Sequence, residues 1–112
     1  MEIVIPFNDW SKARLRANHK IATSRNKRYG NVGDTFTVEC GYSNQPLHRY
    51  ELTHVERVSL AFVRDKFYWE EGCNSEDMFI QVWNDIHPKK KFNDEHKVWL
   101  HLFREIFKLN KE

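Results

Sequence analysis

The sequence predicts an α+β fold, a small mixed β-barrel with flanking helices. Several stretches alternate apolar and polar residues at the period of a strand, most clearly Thr35-Phe36-Thr37-Val38-Glu39. A longer one, from about His48 to Ser59, loses its parity partway, because Leu52, Val55 and Val58 cannot share one face. A bulge or strong curvature reconciles them, as barrel strands require. Helical spacing is confined to short segments before and between the strands, and 112 residues make one domain able to bury its own core.

Taken in order, residues 3–7 alternate weakly and read as a first strand, with Pro6 limiting it to an edge or an end. Asp9 or Ser11 can cap a helix running to about Ala17, with Trp10, Ala13 and Ala17 facing inward. Asn18 suits the left-handed position that ends such a helix. The chain then runs extended to about Arg25. Residues 26–34 form a basic loop whose Gly33-Asp34 turn opens the next strand, and residues 41–46 carry turn chemistry.

After the long strand, Leu60, Val63 and Phe67 fit a helical face that ends near Glu71-Gly72. Ser75 caps the clearest helix, with Glu76 and Asp77 in its first turn and Phe79, Val82, Trp83 and Ile86 at the helical repeat. His87-Pro88 stops it. A charged loop over 89–95 leads to a closing strand from Lys97 to Phe103, and residues 104–112 read as a tail.

Aromatic residues make up 14% of the chain, which fits a packed globule rather than a disordered segment. The net charge of +2 does not by itself mark a nucleic-acid binder. Its distribution is more informative. Lys12, Arg14, Arg16, Lys20, Arg25, Lys27 and Arg28 fall in one region without an acid, while Asp65, Glu70, Glu71, Glu76 and Asp77 come later. Such segregation suggests a polarised surface able to attract a polyanion. Cys40 and Cys73 match no metal or redox spacing, and the histidines do not pair at ligand spacing, so neither a metal nor another cofactor is expected. Two free thiols with no leader pattern suggest a reducing, cytoplasmic home, and no run is long enough to span a membrane.

The chemistry concentrates in Lys20, Thr23 and Arg25. Thr23 and Arg25 share parity on a strand and point together, while Lys20 sits at the turn before it. A hydroxyl between two cations suits an anion or nucleic-acid site, and with an acidic partner it suits a hydrolase. Lysine can serve as the base only if burial or a neighbouring cation lowers its pKa, which Arg25 could assist. The plainer alternative is a solvated basic edge strand, with Lys20 snorkelling and Arg25 pairing with Asp34 or Glu39. In the loop, Lys27, Arg28 and Tyr29 combine phosphate-pairing charge with a ring that can stack on a base, and Arg14 and Arg16 on the preceding helix extend the same patch. Trp10, Phe79, Trp83 and Trp99 occupy core-like positions, whereas Tyr68 or Trp69, beside Glu70 and Glu71, could line a cleft.

The order of Lys20, Thr23 and Arg25 after a helix, followed by Gly33-Asp34, by Glu71-Gly72 and by the aromatic helix from Phe79 to Ile86, resembles the ASCH domain family of the PUA-like barrel superfamily. The likeness covers about Ile5 to Phe103. Asn18 stands where that family usually has glycine, and asparagine is the residue that next best tolerates positive φ. The resemblance implies a PUA-like barrel with a cleft that binds RNA or a modified nucleoside. It also implies, as an alternative, an amidohydrolase acting on N4-acetylcytidine through Lys20, Thr23 and Glu71, with Glu70 an equal neighbour of Glu71. Other relatives suggest a metal-independent ribonuclease.

Overall fold

The structure is a computed structural model describing residues 1–38 and 48–108. Its elements are α1 (Asp9–Arg16), β1 (Ala22–Arg25), β2 (Thr35–Val38), β3 (His48–Ser59), α2 (Leu60–Phe67), α3 (Glu76–Ile86) and β4 (Lys97–Lys108). The strands form one curled sheet in the order β1-β4-β3-β2, a half-barrel of antiparallel pairs with helices alongside. The lost parity in β3 is resolved by register shifts against β4 between Arg49 and Tyr50 and between Leu52 and His54. Each shift adds twist and bends the sheet around its contents.

Two apolar clusters fill the curl. Val58, Leu60, Val63, Phe79, Trp83, Val98 and Leu100 pack α2 and α3 against β3 and β4. At the other end Leu15, Phe36, Tyr50, Leu52 and Phe103 bring α1 against β2, β3 and β4, with Ile5 and Phe7 of the N-terminal segment beside them. Cys73, in the first cluster, is a buried free thiol.

Several local expectations hold. Asn18 adopts φ 58° after α1. Ser75 caps α3 by accepting from the Met78 amide, and His87 ends it. Others are corrected. Residues 3–7 form no strand. Glu2 makes a single parallel bridge to Thr35, and Pro6 and Phe7 turn inward toward the cavity described below. Asn8, not Asp9 or Ser11, caps α1. The buried face of α1 is Ser11 and Leu15, while Ala13 and Ala17 are exposed. The segment after Phe103 continues in β4 to Lys108, because β3 carries partners as far as His48. The 41–46 turn, Glu39, Cys40 and the last four positions of the tail lie outside the described residues.

The positive φ at Asn18 turns the chain from α1 into the approach to β1. Asn18→Gly should leave stability near wild type, whereas Asn18→Val should cost about 1–2 kcal/mol from left-handed strain on a β-branched residue. Urea unfolding of the two variants checks the difference.

Candidate functional site

The approach to β1 is set by the segment after α2. That helix stops at Phe67. Turns carry the chain on to Gly72, the amides of Glu71, Gly72 and Cys73 bonding back to the carbonyls of Phe67, Trp69 and Tyr68, while the Glu70 carbonyl faces β1. It accepts from the amides of Ile21 and Ala22, at 2.7 and 2.9 Å. Gly72 follows at φ 96°, where an added Cβ would lie 3.0 Å from Arg14 Cδ and 3.3 Å from Lys20 Cβ. Glycine is needed both for the backbone conformation and for the close approach of these side chains.

This turn drives the Glu71 carboxylate inward. Lys20 Nζ donates to the Glu71 carbonyl at 2.9 Å and to Glu71 Oε1 at 3.2 Å. Ser24 donates its hydroxyl to Glu71 Oε2 at 2.6 Å. Lys20 and Glu71 side chains are only 5% and 7% exposed, so this is a buried ion pair rather than a surface one. Of the two glutamates, Glu71 turns its side chain to Lys20 and Ser24, while Glu70 contributes its backbone. Lys20 does not snorkel. Ser24 was not legible as a site residue, although its parity with Lys20 across the turn was the available signal.

On the other parity of β1, Arg25 Nε donates to Thr23 Oγ1 at 2.9 Å, as their shared direction predicts. A second guanidinium N–H reaches the Pro6 carbonyl at 2.6 Å. The Arg25 guanidinium lies over the rings of Phe7 and Tyr29, at 4.9 and 5.4 Å. Burial lowers its pKa, against smaller opposing effects from Tyr29 and Glu71.

His101, on β4 and fully buried, braces the same strand. Its Nε2 accepts from the Tyr29 amide at 3.1 Å, which leaves Nδ1–H to donate to the Thr23 carbonyl at 3.2 Å. Accepting at Nε2 requires a neutral ring, and burial lowers its pKa below the ordinary 6.5.

These groups line a cavity of about 560 Å³ between the N-terminal segment with α1 on one side and α3 on the other. Lys20, Thr23, Ser24, Arg25 and Glu71 supply its polar wall, and Phe7, Trp10, Tyr29, Phe79 and Trp83 supply aromatic surface. Trp10 and Trp83 thus face the cavity as well as the core. Tyr68 and Trp69 do not line it: Tyr68 packs against the α2–α3 cluster, and Trp69 lies exposed against His19. Cys73 lines it too, but burial pushes the thiol up to about 11, so it stays protonated and a poor nucleophile.

The remaining cations fall outside the lining. Arg14 stacks on Trp10 at 3.9 Å and donates to the Gly72 carbonyl at 2.9 Å, bracing the turn rather than a patch. Arg16 is exposed, and its charge is felt at Tyr50 on the far side of α1. Lys27 lies over Tyr29 at 4.7 Å, next to the cavity wall. Arg28 lies over Trp99 at 5.2 Å and bonds within its own loop to Gly30 and Asn31. Among the described residues no cluster of three His, Cys, Asp or Glu side chains is placed to hold a metal ion, and no helix is long and apolar enough to cross a membrane.

A crystal structure of an ASCH domain from Lactobacillus crispatus JV V101 matches with a TM-score of 0.60 at 13% identity, over 93% of this chain and 77% of that one. The chain has the fold of an ASCH domain. A protein from Enterococcus faecalis V583 whose family is given as DUF984 matches as well, with a TM-score of 0.62 at 18% identity over 94% of this chain and 74% of that one. No protein-family model matches the sequence, and no curated protein matches it.

Removing one partner of the buried pair, as in Lys20→Met, should cost about 3–5 kcal/mol by stranding Glu71, and Lys20→Met with Glu71→Leu should recover part of that loss. Urea unfolding of the single and double variants measures both. His101 gives a pH dependence of known sign. Its folded pKa lies below the unfolded value, so the unfolded chain takes up the proton first as pH falls. Stability is full above about pH 6.5 and declines below it. Melting curves across pH 7.5 to 5 should show that decline, and His101→Asn should flatten it.

Proposed function

We propose that this ASCH-fold chain binds one nucleoside unit, free or within RNA, in the cavity between α1 and α3. What carries the reading is one cavity that joins aromatic walls to a buried hydroxyl, ammonium, carboxylate and guanidinium. Its volume, about 560 Å³, falls in the range usual for small-molecule sites. Phe7, Trp10, Tyr29 and Trp83 offer faces or edges to a base. Thr23 and Ser24 offer hydroxyls to a base edge or a ribose. Lys27, over the outer side of Tyr29, and Arg28 beyond it are set to meet the phosphates of an adjoining strand. A reducing, cytoplasmic setting suits the buried free thiol at Cys73.

One observation favours a second reading, amide hydrolysis of N4-acetylcytidine: Lys20, Thr23 and Glu71 line the same cavity. The Arg25 N–H on Thr23 Oγ1 would stabilise negative charge developing on that oxygen. Paired with Glu71, Lys20 would act as a base by passing a proton to the carboxylate across their 3.2 Å contact. It then accepts the hydroxyl proton of Thr23 as Oγ1 attacks the acetyl carbon. The proton held by Glu71 returns to the departing N4 amine, and water cleaves the acetyl ester to free acetate.

Calorimetry with the four nucleosides, N4-acetylcytidine and a short oligoribonucleotide tests the first reading. Saturable binding that weakens about tenfold in Thr23→Val is expected, and no saturable heat with any of them would reject it. Acetate release from N4-acetylcytidine, lost in Thr23→Val, is the outcome expected of the second reading. Binding without turnover across a pH series by clean wild-type protein would leave the first reading alone.

A further inference from the structure

The charges on the cavity wall do not balance. Lys20 is matched by Glu71, and both oxygens of that carboxylate are engaged, one by Lys20 and the other by Ser24. Arg25 lines the same cavity, yet among the described residues it has no carboxylate at ion-pair distance. Its two hydrogen bonds go to neutral acceptors, Thr23 Oγ1 and the Pro6 carbonyl. The Tyr29 hydroxyl is a further side-chain partner, and a guanidinium has five N–H donors, so donors remain on its outer edge. Phe7 and Tyr29 cover it from the sides, and the side chain is half-buried.

A half-buried guanidinium with no carboxylate partner favours an anion beside it, and it stays charged at neutral pH even where burial opposes the charge. The other titratable groups of the lining do not supply the missing anion. Cys73 is a protonated thiol, and Tyr29 offers Arg25 a hydroxyl rather than a carboxylate. Two cations thus face one carboxylate in a site of reduced dielectric.

We infer that the cavity takes a ligand bearing an oxyanion, seated on the free edge of the Arg25 guanidinium, and that where the ligand is a nucleoside unit it arrives as a nucleotide. The planar fork of arginine suits a phosphate or a carboxylate through paired N–H···O contacts. The base-binding half of this statement rests on the proposed function. The anion-binding half rests on the charge count alone.

Calorimetry on the wild-type chain at low salt separates the two halves without any variant. Cytidine 5′-monophosphate, cytidine, ribose 5-phosphate and benzoate are compared. The monophosphate should bind roughly tenfold or more tighter than cytidine. That preference should vanish in Arg25→Met and survive in part in Arg25→Lys. Ribose 5-phosphate binding as well as the nucleotide would uphold the anion site and reject the base reading. Benzoate binding best would do the same and name a carboxylate as the source. Cytidine binding as tightly as its monophosphate would overturn the anion site and leave nucleoside binding standing. No binding by any of the four would overturn both.

Discussion

The site depends on the inward turn of Glu71. One residue earlier, the Glu70 carbonyl accepts two amides at the start of β1. The carboxylate that follows is buried against Lys20 and Ser24. Backbone and side chain therefore fasten the end of α2 to the head of β1 at adjacent positions. The left-handed glycine after Glu71 and the Arg14 bond to its carbonyl hold the turn from its other side. A buried ion pair adds little to net stability against an apolar substitute, since desolvation offsets much of the attraction. Its consequence here is positional. It fixes which atoms face the cavity.

A second brace acts on the same short strand from behind. Neutral His101 spans from the Thr23 carbonyl to the Tyr29 amide and so ties β1 to the loop that follows it. Tyr29 in turn lies beside Arg25 and under Lys27. A strand of only four residues at the sheet edge is thus held from three directions: β4, the Glu70–Glu71 turn and His101. Edge strands are ordinarily the more mobile part of a sheet. This one carries the polar wall of the cavity and is pinned accordingly.

Regular elements were legible because their signals are local. The Ser75 cap and the spacing of Phe79 and Trp83 located α3, and the alternation in β3 together with its broken parity announced both the strand and its irregular register. Asn18 declared its left-handed turn. The misses share a cause. Residues 3–7 had a strand's pattern but no ladder to join, and β4 continued past Phe103 because β3 offered partners. Each depends on a neighbour distant in sequence.

The site divides in the same way. From the sequence alone came Lys20, Thr23 and Arg25 as one chemical group, the shared direction of the last two, and an acid near position 71. Folding turned the Glu71 carboxylate to Lys20, joined Ser24 to it and set His101 behind the strand. It also decided that Arg14 braces a turn instead of extending a basic patch. The reason is physical. Parity and spacing fix which side chains share a face, but burial and pairing of charge depend on what the fold brings opposite them, and here the partners lie 47 to 78 positions away.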